Sequence, residues 1–121
     1  MNVYKRRLIA LAQTHHDRLI CVKISLSASQ YPAYSAYECA RRDWNLTPAR
    51  ANRADYVLAI DANGNVANVF KPICWHKCPE PNKSKRSLFH ADPKGDKAGF
   101  NRYKNVHYEF ENQCTAEYIN M

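Results

Sequence analysis

Apolar and polar positions follow two different rhythms along this chain. Between residues 3 and 14, Tyr4, Leu8 and the Leu11/Ala12 pair recur at helical spacing, which predicts a short amphipathic helix. "RLICVKISL", residues 18–26, is compact and β-branched and predicts a buried strand over 19–25. "SASQYPAYS" follows as a loop with Pro32 as its breaker. Ser35 and Glu38 have the spacing of a capping box, and Tyr37, Ala40 and Trp44 then line one apolar stripe of a helix that stops near Asn45. Thr47-Pro48 restarts a second short helix, with Thr as N-cap and Pro at the first helical position, running to about Arg53.

The rhythm then changes to period two. "ADYVLAIDANGNVANVFKP" places two apolar strands, 55–61 and 65–71, around Asn63-Gly64, the dipeptide that favours a tight type I′ hairpin turn. Residues 77–104 are polar and rich in Pro, Lys and Gly, and predict a long basic loop insertion within a single domain spanning residues 1–121. "NVHYEFEN" alternates again: Val106, Tyr108 and Phe110 inward, His107, Glu109 and Glu111 outward, the pattern of a half-buried strand over 105–111. The expectation is an α+β chain with the strands at 19–25, 55–61, 65–71 and 105–111 in one sheet.

Composition narrows the function classes. The chain has 121 residues and a net charge of +7. Eight of its basic residues fall between Lys77 and Lys104 against three carboxylates, so +5 of the total sits in one segment. Such a patch suits phosphates or an acidic protein surface. No run approaches the roughly 18 apolar residues of a membrane span, and "MNVYKRRLIALAQTHH" has too short an apolar part and no small-residue cleavage site for a signal peptide. Five cysteines at irregular spacing do not make a disulfide framework, which points to a reducing, cytoplasmic setting.

The order of motifs from residue 21 to residue 118 resembles a known small domain. "SAYECARRDW", then "RANRADYVLAI", then "GNVANVFKPICW", then "HYEFE" is similar to a PUA-like (ASCH/EVE-type) domain of phage and bacterial proteins, sometimes found with GIY-YIG-type nucleases. The basic insertion before "HYEFE" departs from that pattern. The resemblance implies a PUA-like small β-barrel or curved mixed sheet with one or two short helices. It also implies binding of RNA or modified bases, which is common among PUA-like relatives.

Three constellations carry chemistry. Arg41 and Arg42 offer bidentate forks for phosphate or a base edge, and Trp44 and Trp75 offer stacking faces. With Lys71 and the basic residues Lys83, Lys85 and Arg86, they form the expected nucleic-acid-binding set. The competing structural reading has Trp44 closing the core while the arginines pair with Glu38, Asp43 or Asp55. "CWHKC" supplies Cys74, His76 and Cys78, which with His90 or Cys114 would make a zinc-stabilised module, but a lone Cys-x3-Cys is an incomplete set at an atypical spacing, so no metal or other cofactor is expected. No paired-carboxylate, P-loop or HExxH pattern is present, and nothing fixes a Cys–His pair for nucleophilic chemistry, so catalysis is not expected. The expected function is non-catalytic binding of a nucleic acid or nucleotide, without a membrane partner. The alternative is a phage-encoded, anti-CRISPR-like inhibitor that docks on a host defence complex.

Overall fold

The computed structural model describes residues 1–30, 33–42, 44–81, 86–111 and 114–121. Two strands form its centre. β1 (Leu19–Lys23) and β2 (Tyr56–Ile60) run parallel, Leu19 opposite Tyr56 and Lys23 opposite Ile60. β3 (Val66–Phe70) pairs antiparallel with β2, and β6 (Ala116–Ile119) pairs antiparallel with β1, giving the order β3-β2-β1-β6. β4 (Cys74–Lys77) and β5 (Ser87–His90) form a separate two-stranded ribbon. Among the described residues the larger sheet is open. The class is α+β with a mixed sheet and short helices, and its strands do not close into a barrel.

A parallel pair is stable only when both faces are covered. One face, built from Ile20, Val22, Val57, Ala59 and Phe70, packs against Tyr37, Ala40, Trp44, Ala51, Trp75 and Phe89. These come from α3 (Ala36–Ala40), α4 (Pro48–Ala51), the segment between them and the ribbon. The other face, built from Leu19, Cys21, Leu58, Ile60 and Val69, packs against α1 (Val3–His15) and α5 (Lys97–Tyr103) through Leu8, Ala12 and Tyr103, with Tyr108 from the following segment. Asp17 pins α1 to α5. Its buried carboxylate accepts hydrogen bonds from Arg102 Nη1 (2.8 Å) and the Tyr103 hydroxyl. Burial first, and then that carboxylate, push the Tyr103 hydroxyl well above the usual phenol range.

Several local expectations hold. Ser35 caps α3 by accepting from the Glu38 N–H, and Pro48 opens α4. The 55–71 hairpin forms, but its turn differs from type I′. Gly64 alone has positive φ (81°), and the Gly64 N–H donates to the Asp61 carbonyl. Asp61 Oδ1 also accepts the Asn63 and Asn65 N–H groups, so its side chain stabilises a longer turn in which Asn63 need not adopt positive φ.

Four expectations are corrected. Ser25–Gln30, within the predicted strand end and loop, form the short helix α2. Trp44 lies beyond α3, which ends at Ala40 with Arg41 as C-cap. The 77–104 segment is not one long loop, since it contains β5 and α5. Residues 105–111 keep their predicted alternation, with Tyr108 buried and His107 and Glu109 exposed, but do not join the sheet as a strand. They touch the hairpin through a bridge between His107 and Asn65, and β6 takes the edge beside β1 instead.

The turn gives a direct test. A Cβ on Gly64 would lie 2.5 Å from His107 Cε1 and 2.8 Å from the Tyr108 carbonyl oxygen. Gly64→Ala therefore combines positive-φ strain with a clash, and chemical denaturation should show a loss of about 1–3 kcal/mol. A midpoint equal to that of the parent protein would contradict this geometry.

Candidate nucleic-acid interface

The ribbon is widened by a third, irregular segment. Trp44 and Ser87 exchange backbone hydrogen bonds (3.1 and 2.8 Å), and the Phe89 N–H donates to the Arg41 carbonyl (2.7 Å). Arg41 and Trp44 thus lie along the free side of β5. On the opposite side, the Asn52 side chain occupies the free edge of β4. Its Oδ1 accepts the Trp75 N–H (2.7 Å) and its Nδ2 donates to the Trp75 carbonyl (3.2 Å).

Side-chain alternation divides the ribbon's faces. Trp75 and Phe89 are opposite one another and turn inward, their rings 4.9 Å apart. Trp44 is inward too, 6% exposed, and its Nε1 donates to the Ala40 carbonyl at 2.6 Å. That bond satisfies a carbonyl the end of α3 leaves open. Both indoles are core residues, with Trp75 3% exposed. Neither presents a free face on which a base could stack, which corrects their assignment as stacking platforms.

The arginines are placed differently. Arg41 is 21% exposed and Arg42 37%. Arg41 Nη1 lies 3.8 Å from Glu38 Oε2, and its guanidinium carbon lies 5.5 Å from the centroid of the Tyr37 ring. Arg42 Nη2 lies 3.8 Å from Glu80 Oε1. Both separations exceed hydrogen-bonding distance, so these pairs are Coulombic, and among the described residues neither guanidinium makes a hydrogen bond. The Nε atoms of both arginines are buried without a hydrogen-bond partner. Of the carboxylates considered for pairing, Glu38 takes Arg41, Asp55 lies 3.6 Å from Arg18 instead, and Asp43 lies outside the described residues.

Other basic residues border the same ribbon. Arg86 is exposed immediately before β5, and Lys77 is exposed on β4 opposite Ser87. Lys71 is exposed just after β3, on the approach to β4. Lys83 and Lys85 lie outside the described residues. The sequence reading passed over Lys77 as an individual contact. No spacing signal marked it, because alternation along β4 puts residue 77 on the same side as the inward Trp75.

The outer face of the ribbon holds a pair of histidines. His76 and His90 are exposed, their rings stack with centroids 4.9 Å apart at 24°, and their Nε2 atoms are 2.7 Å apart. His76 Nδ1 faces the Lys77 carbonyl at 3.1 Å. Loss of solvation, then the neighbouring His76 ring and the Arg41 guanidinium, lower the pKa of His90 below the ordinary imidazole value. Cys74 is exposed and opposite His90, whereas Cys78 is buried. None of the five cysteines is in a disulfide. Among the described residues, no group of three or more His, Cys, Asp and Glu side chains converges as a metal cage.

Two cavities of about 260 and 280 Å³ lie on the other side of the sheet, at the Asp61–Gly64 turn beside Tyr108 and between α1 and His107. Neither includes a residue of the ribbon. No helix among the described residues is long and apolar enough to cross a membrane. Comparison with protein-family models, curated proteins and solved structures finds no match to the chain.

Burial predicts opposite phenotypes for neighbouring positions. Trp44→Ala should cost about 3–5 kcal/mol in denaturant unfolding, because it opens the core and frees the Ala40 carbonyl. Arg41→Ala and Arg42→Ala should each cost no more than about 1 kcal/mol, the scale of exposed ion pairs and cation–π contacts. Equal losses at all three positions would make the arginines structural.

Proposed function

We propose that this chain is a non-catalytic nucleic-acid-binding module that grips the phosphate backbone through the widened ribbon. The observation that carries the reading is the state of Arg41 and Arg42. Their guanidinium groups lie beyond hydrogen-bonding distance of their carboxylate neighbours, and their buried Nε donors have no hydrogen-bond partner among the described residues. An approaching phosphate would be met by the Nη donors, since the buried Nε atoms are closed to solvent, in the bidentate geometry arginine favours.

Burial of both indoles determines the mode. Without stacking platforms, base identity has little to act on, and backbone charge supplies most of the affinity. Arg86, Lys77 and Lys71 extend the cationic border on which a second or third phosphate would rest. Binding by this surface is broad in sequence preference and sensitive to salt. A PUA-like (ASCH/EVE-type) relationship, a phage origin and a cytoplasmic setting belong to the same proposal. They rest on the motif order and cysteine usage of the sequence, and the sheet described here would be an open version of that domain.

Fluorescence anisotropy with labelled RNA and DNA oligonucleotides tests the proposal. Affinity should fall steeply between about 50 and 200 mM salt, and Arg41→Ala, Arg42→Ala and Arg86→Ala should each reduce the log–log salt slope by about 1. An unchanged slope in all three variants would remove the ribbon from polyanion binding. The anti-CRISPR-like inhibitor reading would then account better for the exposed arginines, with an acidic protein surface as the partner.

A further inference from the structure

We infer that His76 and His90 form a two-histidine site for a tetragonal divalent transition-metal ion, Ni(II) or Cu(II), on the outer face of the β4–β5 ribbon. The site is separate from the phosphate-binding proposal, because neither arginine is a ligand in it. Its geometry is a consequence of strand register. Cys74 pairs with His90 and His76 with Leu88, so the two histidines are diagonal neighbours on one face. Their rings are stacked and their Nε2 atoms already converge to 2.7 Å.

Imidazole nitrogens suit Cu(II) and Ni(II), which stand high in the Irving–Williams order. Two metal–nitrogen bonds of about 2.0–2.1 Å meeting at a right angle place the nitrogens about 2.9 Å apart, so the two exposed rings must turn from their present Nε2–Nε2 hydrogen bond to aim both lone pairs at one ion. The tautomers fit as well. The Lys77 carbonyl can only accept, so His76 carries its proton on Nδ1 and presents a bare Nε2. His90 then donates its Nε2–H to that atom. On metal binding, His90 takes the other tautomer, its proton passing to Nδ1, and both Nε2 lone pairs face the ion without a change in net protonation.

The protein supplies two ligands and water supplies the rest, since no third His, Cys, Asp or Glu among the described residues joins the pair. Such a site exchanges its ion readily, unlike the closed four-ligand zinc centre considered for "CWHKC".

Calorimetric titration of the full chain with Ni(II) tests the inference. One saturable site is expected, weakened at least about tenfold (about 1.4 kcal/mol) by His76→Asn and by His90→Asn, and unchanged by Cys74→Ser or His15→Asn. Substoichiometric Cu(II) added to the isotopically labelled parent protein should broaden the amide signals of His76 and His90 first, a readout independent of whether the variants fold. Binding retained by both histidine variants would overturn the site, as would broadening centred on the His15–His16 pair or on the N-terminus.

Discussion

β1 and β2 run parallel, and nine of their ten residues are buried or half-buried. Two requirements follow from that pairing. Parallel neighbours cannot be joined by a tight turn, so a long crossover must carry the chain from one end of β1 back to the start of β2. Both sheet faces must also be covered, or buried strand residues would meet water. The crossover, residues 24–55, meets part of the second requirement with α3, α4 and the Trp44 segment. The arginines of the candidate interface ride on this same crossover. Their position is thus a by-product of closing one face of a parallel pair, and their exposed tips are what remains after Tyr37, Ala40 and Trp44 have turned inward.

Much of this architecture was readable where local signals and long-range packing agree. The Ser35 cap, the Thr47-Pro48 helix start, β1, and the two strands around Asn63-Gly64 are such places. Elements were missed where packing overrides local preference. Gly99 lowers the helical propensity of "DKAGFNRY", yet α5 needs a glycine there, because a Cβ would meet the Tyr56 ring at 2.8 Å and Val69 at 2.9 Å. "HYEFE" has the alternation of a strand, but alternation reports only which side chains are covered, and the backbone partner beside β1 went to Ala116–Ile119. β5 is a four-residue strand inside a charged stretch, too short to show a period of its own.

The candidate site was legible in part for the same reason. Adjacent arginines after a capped helix can be recognised in a sequence, but their partial exposure is set beyond the end of α3, where Trp44 turns into the core. Whether an indole is a platform or a core residue depends on what lies above it, and both tryptophans lie beneath other elements. The His76–His90 contact joins residues from different strands. It depends on a register that no spacing within "CWHKC" encodes.

Asn52 has an effect beyond positioning Trp75. An outer strand with unpaired N–H and C=O groups is a template on which another molecule's strand can grow. At Trp75 both outward backbone groups of β4 are already taken by one side-chain amide, which imitates a single residue of a neighbouring strand without offering a further edge. Strand-to-strand polymerisation through β4 would first have to displace Asn52. Wherever copies meet at high local concentration, this small plug favours discrete molecules over fibres.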